Sequence, residues 1–309
     1  LWAMLLANVA AFIFSFILYI IQNPIKIKPI IDLQIFQLIL KKGWYLFVYN
    51  SSFLLIMLTT NTFISSNYQV REFGFYTFSY SLANVVLLLL NSISFLIFPK
   101  LLNRFATATN EQIYSILSNV RTAYISLSHL LIHFVIMMFP VFLLFFPAYG
   151  SSASVFKITA LTVVLYTNSF GYQGLLLARG KEKLIGNVAF SALLLNIVLS
   201  GIFVFVFRVR FDYVVLATMI TYFLYVIISS IYGRKEMGLD FDLFSTLKDI
   251  YPWRMMLPFF ISLSFALFNL SEIYFVIPFL LYLALNFGDI LKIKQITMNV
   301  VRNPNFVNI

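Results

Sequence analysis

The chain has no cysteine among its 309 residues, which removes disulfides, iron–sulfur clusters and thiolate zinc sites from consideration. Charge is nearly as scarce. Asp, Glu, Lys and Arg make up 10% of the residues, well under the roughly 25% of a soluble domain, and a water-soluble enzyme does not fit that composition. The same poverty of charge excludes a disordered segment or a coiled coil. What fills the chain instead is apolar: 61% of residues are hydrophobic, mean hydropathy is +0.94, and there are 36 Phe and 18 Tyr. Such a balance points to lipid, with rings at the bilayer and its interfaces. A net charge of +10 resembles a nucleic-acid signal until the charges are placed. They lie in loops between apolar segments, and no nucleic-acid partner is expected.

A transmembrane helix needs roughly 20 apolar residues to cross about 30 Å of hydrocarbon. Nine charge-free windows approach that length: Leu1 to Ile21, Tyr45 to Ser65, Phe75 to Phe98, Thr122 to Phe146, Ile158 to Leu177, Leu184 to Phe207, Tyr213 to Tyr232, Met255 to Phe268 and Ile273 to Phe287. The last two are short, with Pro252, Pro258 and Pro278 in or near them. All 32 formal charges fall outside these windows, as a cost of roughly 2.5 to 3.5 kcal/mol per charge at a helix centre demands. The loops alternate in basic content. Seventeen Lys and Arg fall on one side and four (Arg71, Lys157, Arg208, Arg210) on the other. The positive-inside rule then places the C-terminus in the cytoplasm and the first residue outside. Leu1 opens inside an apolar segment without Met or a charged leader, so the reading is of a chain missing its beginning and not of a signal peptide.

The longest loops, Gln22 to Trp44, Pro99 to Arg121 and Gly233 to Arg254, are about 22 residues each and are all assigned to the cytoplasm. No folded soluble domain fits there. Gly174 to Glu182 is the nearest approach to a phosphate loop, but it puts five residues between its glycines and has Glu182 where Ser or Thr would bind magnesium, so an ATPase is rejected. The outer loops are shorter, and a glycosyltransferase or polymerase has no single loop for its acids and arginines. Two loops carry amphipathic patterns: Ile31, Ile35, Leu38 and Ile39, then Leu243, Phe244, Leu247, Ile250 and Tyr251. Such segments lie in the interface, with Lys41, Lys42 and Arg254 toward anionic headgroups.

Polar groups inside the windows are amides and hydroxyls. The candidate cavity-lining residues are Asn50, Asn61, Asn84, Asn91, Asn168, Gln173, Asn187 and Asn196. Singly, such side chains glue helices together. As a set they suit a cavity for sugar hydroxyls, with Tyr to stack on sugar faces, whereas ion pumping favours an embedded carboxylate. His129 and His133, four apart, share one face of the fourth window. They are a candidate proton relay, although two histidines with no third ligand read first as packing, and neither a metal nor a cofactor is expected. Pro140 is expected to kink the same helix.

A train of short motifs then emerges. Gly43 opens a span ending in Asn61-Thr62-Phe63-Ile64; Phe73-Gly74-Phe75-Tyr76, Ser79-Tyr80-Ser81-Leu82 and Phe98-Pro99-Lys100-Leu101 follow; Pro147-Ala148-Tyr149 and Leu176-Leu177-Ala178-Arg179-Gly180-Lys181 continue the order. Over about residues 40 to 185 the chain resembles lipid-linked oligosaccharide flippases of the O-antigen or Wzx type, within the multidrug, oligosaccharidyl-lipid and polysaccharide exporter superfamily. The resemblance implies an all-α membrane protein of two six-helix bundles plus two extra helices, alternating access around a central cavity. It implies that residues 1–21 are the last helix of an incomplete first bundle, 45–232 the second bundle and 255–287 the two extras. Residues 22–44 and 233–254 would be cytoplasmic interfacial segments, and 288–309 a cytoplasmic tail. The implied substrate is a polyprenyl-diphosphate-linked oligosaccharide, moved across the bacterial cytoplasmic membrane, with the bilayer and polysaccharide assembly proteins as further partners. Lys100 and Arg104, at the cytoplasmic mouth, are candidates for attracting the diphosphate, a role that positive-inside bias explains equally well. Gly74 is expected to permit a tight outer turn and Pro99 to end the third span. The family often has an Asp-Arg pair where this chain has Asn61-Thr62, so no charge coupling carries over there. A drug or metabolite antiporter of the same superfamily, or a membrane-bound glycan polymerase or ligase, are the rival readings.

Overall fold

A computed structural model describes residues 2–22, 32–240 and 242–302. The chain divides into two compact units, Leu1–Lys41 and Lys42–Ile309. The first holds α1 (Trp2–Gln22) and the opening turns of α2 (Leu33–Asn67). Asp32 starts α2 by accepting the backbone N–H groups of Gln34 (2.8 Å) and Ile35 (3.2 Å) on its Oδ1, satisfying donors that a helix start otherwise leaves open. Ile31, the first residue of the expected amphipathic pattern, lies outside the described residues; Ile35, Leu38 and Ile39 are helical and exposed.

In the second unit α2 continues and is followed by α3 (Val70–Thr107), α4 (Asn110–Phe145), α5 (Ala153–Thr167), α6 (Tyr172–Ala178), α7 (Glu182–Gly201), α8 (Val215–Glu236), α9 (Leu243–Ile250), α10 (Trp253–Leu267) and α11 (Val276–Arg302). Among the described residues seven stretches are long and apolar enough to cross a membrane, and the α9–α10 pair, bent by 70°, makes an eighth if it is one span. The protein is therefore an all-α integral membrane protein. Eight of the nine windows coincide with these stretches, and the window from Leu1 to Ile21 falls on α1, a shorter apolar helix over Leu6–Gln22.

Where they are described, the expected loops are mostly helix. Residues 33–44 are the start of α2, and α3 and α4 extend until only Ala108 and Thr109 separate them. Pro99 does not end the third span but sits inside α3. It is exposed at the helix surface, where a missing N–H leaves one carbonyl open to other partners without breaking the backbone. Gly74 makes no turn either. Glu72 accepts the Gln69 backbone N–H at 2.9 Å, so α3 starts at Val70 and carries Gly74 inside it. The window from Ile158 to Leu177 is two helices, α5 and α6, parted at residues 168–171. The expected tail from 288 continues α11 as far as Arg302. Pro140 lies inside α4, which continues past it to Phe145.

The core is built around α5. Thirteen of its fifteen residues are buried, and α3, α4, α8 and α10 pack against it. In lipid an apolar surface alone does not require a protein neighbour, but burial of α5 on every side, with Lys157, Thr159 and Thr162 among the buried residues, places it inside the helix bundle. The span containing it is 72% buried, against 22–33% for those of α2, α3, α4 and α7. Those outer helices turn Phe, Leu and Ile outward, as a lipid-facing surface requires.

Candidate functional site

Four helices, α2, α3, α5 and α8, enclose a cavity of about 320 Å³. Its walls carry Tyr76, Tyr80, Tyr166 and Tyr222 with Thr60, Thr159, Thr162, Thr218 and Asn84, and no charged side chain lines it. Thr60 and Thr218 are hydrogen-bonded at 2.8 Å, and Asn196 of α7 donates to Thr218 at 3.1 Å from outside the wall. Tyr80 reaches the Met57 sulfur. Beneath the cavity, Gln173 of α6 accepts from the Tyr49 hydroxyl (2.8 Å) and donates to Tyr225 (3.0 Å) and Ser169 (2.6 Å). Phe53 closes this floor with ring contacts to Tyr49, Tyr166, Tyr222 and Tyr225. The arrangement offers hydroxyls, one wall amide and aromatic faces, suited to a neutral, hydroxyl-rich ligand.

Below the floor the helix break becomes the organising feature. Gly171, at φ +88°, turns the chain between α5 and α6, a conformation glycine adopts without Cβ strain. The break frees carbonyls, and Arg121 of α4 captures them: Nε donates to Phe170 O and Nη2 to Asn168 O, both at 3.0 Å. Its Nη1 pairs with Asp249 of α9 at 2.7 Å, and its guanidinium lies 4.3 Å from the Tyr172 ring centre, whose hydroxyl also donates to Asp249. Asn168 extends the network, donating to Ile250 O at 3.0 Å and facing His129 Nε2 at 3.3 Å. His133 Nδ1 meets Ser262 of α10 at 3.2 Å, and Tyr282 of α11 donates to Ser126 O at 2.6 Å. The second ring nitrogen of each histidine is buried without a partner. One polar network thus joins α4, the broken span and α9, and separate bonds beside it tie α4 to α10 and α11.

At the other end of these helices lies a basin of about 550 Å³. The turns before α3, between α4 and α5, before α8 and before α11 all contribute to it. They are the four turns that the charge alternation groups together. Three of their four basic residues, Arg71, Lys157 and Arg210, converge there with Glu72 and Glu272. Lys157, buried, pairs with Glu272 at 2.7 Å, while buried Asp212 accepts from Arg210 at 3.0 Å and Ser154 at 2.8 Å. Beside them Tyr68 donates to Val209 O at 2.6 Å; burial, with Glu72 and Asp212 near, pushes its hydroxyl pKa up and keeps it a donor. No single outer loop holds the acids and arginines of a reactive site, but four loops together assemble a charged basin.

Of the residues singled out in the sequence, Asn84 lines the cavity, Gln173 builds its floor, Asn196 supports its wall and Asn168 anchors the helix break. Asn61 is half-buried and lies off the cavity lining, and Asn50, Asn91 and Asn187 are exposed on their helices. Lys100 is exposed and Arg104 half-buried on the far extension of α3. His129 and His133 are brought together, with ring centres 6.3 Å apart. Among the described residues no group of three or more His, Asp or Glu is placed to hold a metal ion. Sequence reasoning passed over Arg121 and Asp249, and expected tyrosines in the cavity without assigning Tyr76, Tyr80, Tyr166 or Tyr222 to it. Two signals were present: Arg121 stands eight residues before His129 on the same helix face, and Asn168-Ser169-Phe170-Gly171 is a turn signature inside an apolar run.

The fold and cavity define a multi-pass α-helical membrane protein with a neutral polar interior. Residues 1–145, which end with α4, match the family described as polysaccharide biosynthesis protein. No curated protein and no solved structure matches the chain. The matched segment supplies the α2 and α3 walls of the cavity, from Phe53 to Leu87, and supports a membrane protein of polysaccharide synthesis.

Proposed function

We propose that the protein is a flippase that carries a polyprenyl-diphosphate-linked oligosaccharide across the bacterial cytoplasmic membrane for surface polysaccharide assembly. The observation that carries this reading is the cavity between α2, α3, α5 and α8, whose hydroxyls, amide and tyrosine faces suit sugars and whose lining holds no charge. The match to polysaccharide biosynthesis over residues 1–145 supports it. In this reading residues 45–232 form a transporter bundle, 1–21 belong to a preceding bundle and 255–287 are additional helices. The basin end faces outward and the C-terminus lies in the cytoplasm, because basic residues concentrate at the opposite end. The glycan occupies the cavity while the lipid tail stays in the bilayer, and rearrangement at the α5–α6 break moves Gln173 and the Tyr49–Tyr225 floor.

Proteoliposomes with a fluorescent lipid-linked oligosaccharide test the proposal by quenching from the outside. Tyr166→Leu and Tyr222→Leu are each expected to slow translocation by about tenfold through lost sugar contacts, with thermal unfolding near that of the parent chain. Unchanged rates in both variants would remove the cavity from the mechanism. One observation favours the antiporter rival: buried Lys157 forms an ion pair with half-buried Glu272 in the lining of the basin. Proton-driven efflux of a small cationic dye, abolished in Glu272→Gln while oligosaccharide transport is absent, would establish that reading instead.

A further inference from the structure

Near the end of the molecule opposite the basin, a second cavity of about 560 Å³ opens between α8, α9 and the turn joining them. Arg234 lines it and is only 9% exposed. Its Nη2 donates to Ser245 at 2.9 Å, its Nε is buried with no partner, and among the described residues no carboxylate forms an ion pair with it. Of the nearby acids, Asp249 is committed to Arg121 and Tyr172 and Glu236 to Lys181 at 3.0 Å, while Asp240, exposed on the same lining, forms no ion pair with Arg234. Gly233 packs against the Tyr172 ring, so the guanidinium sits beside an already balanced network and adds an unneutralised charge. A buried cation without a counter-ion is strongly unfavourable. Lys235 lines the same space, and against these two cations the lining sets a single exposed carboxylate, Asp240, which leaves one positive charge in excess.

We propose that this cavity binds a phosphate group, held by Arg234 with Lys235 at its rim. A planar guanidinium matches phosphate oxygens in a forked pair. Basic pockets between membrane helices at the cytoplasmic boundary take anionic headgroups, and this one has room for far more than a single carboxylate. The phosphate comes either from an anionic phospholipid or from free solution. Asp240, exposed on the same lining, opposes the anion and sets its affinity.

The test is thermal unfolding of the full chain in dodecyl maltoside, titrated with phosphatidylglycerol, phosphatidylcholine or inorganic pyrophosphate. Phosphatidylglycerol is expected to raise the unfolding temperature where phosphatidylcholine does not, and Arg234→Gln to weaken the half-effect concentration by about tenfold or more. Lys183→Gln, an exposed cation elsewhere at this end, should change nothing. Should Arg234→Gln fail to fold, Lys235→Gln and Asp240→Asn decide, since the first must weaken and the second strengthen the response. A response to pyrophosphate that Arg234→Gln, or Lys235→Gln in its place, weakens assigns the site to free phosphate; a response to phosphatidylglycerol alone assigns it to the lipid headgroup. The proposal falls if neither probe shifts the parent chain, or if the response survives unchanged in the Arg234 and Lys235 variants.

Discussion

Arg121 has three acceptors, and only one of them is a charge. Asp249 takes Nη1, while the carbonyls of Asn168 and Phe170 take the other two bonds. Arg121→Met strands two carbonyls at the helix break and leaves half-buried Asp249 with only the Tyr172 hydroxyl. Since breaking a fully buried pair costs about 3–5 kcal/mol and Asp249 keeps part of its hydration, the loss is expected to fall below that range yet lower the unfolding temperature clearly. The double variant Arg121→Met with Asp249→Leu separates the two parts of that cost. Were the ion pair the main contribution, the double variant would recover stability, as apolar replacements of buried pairs often do. The carbonyls freed by the helix break stay unpaired in both variants, so recovery is expected to be partial at most, and full recovery would show that the carbonyl bonds contribute nothing. Arg121→Lys should rescue poorly, since an ammonium cannot span three acceptors in a fixed plane. Arg121 looked like an ordinary loop cation in the sequence because the preceding helix start, at Asn110, was hidden by a polar run. Its partners come from residues 47 to 128 positions away, and no local pattern encodes that meeting.

At the scale of elements, the turn expected at Gly74 is absent, and a turn stands instead at Gly171, inside an apolar window. Gly171 has φ +88°, and a Cβ there would stand 2.5 Å from Leu117 Cδ1 and 3.1 Å from Arg121 Cγ. Gly171→Ala therefore combines a strained backbone, costing of order 1–3 kcal/mol, with a clash against the residue that holds the break. It is expected to lower the unfolding temperature and loosen Arg121. Gly74 lies inside α3, and a Cβ there meets nothing within 4 Å. Gly74→Ala is expected to be neutral or stabilising by about 0.5–1 kcal/mol, measured by the same unfolding transition. A loss of stability at Gly74 would restore the outer turn that its motif implied. The apolar windows were legible because a charge within hydrocarbon is costly, and that cost acts residue by residue. Helix ends were not, since Pro99 and the polar stretches around it stay helical once outside the bilayer core, and the break at Gly171 hides in a run whose average hydropathy is unremarkable.

For the whole molecule, sidedness connects sequence to function. The alternation of 17 and four basic residues groups four turns on one side, and the structure gathers residues of those same four turns around one basin. Parity could be read from charge; the convergence of Arg71, Lys157 and Arg210 could not, because each comes from a different turn. The absence of cysteine makes the assignment directly testable, as every introduced thiol is the only one in the chain. Ser151 and Asn269 line the basin and are exposed, whereas Thr109 and Lys183 are exposed at the turns of the opposite end. Single cysteines at the first pair are expected to react with a membrane-impermeant maleimide on intact cells, and those at the second pair only after permeabilisation. The reverse pattern would turn the basin toward the cytoplasm, where Lys157–Glu272 would close the entrance and Arg234 would face the outer leaflet. A mixed pattern would break the parity itself and require that one stretch, of which the bent α9–α10 pair is the natural choice, enters and leaves the membrane on the same side.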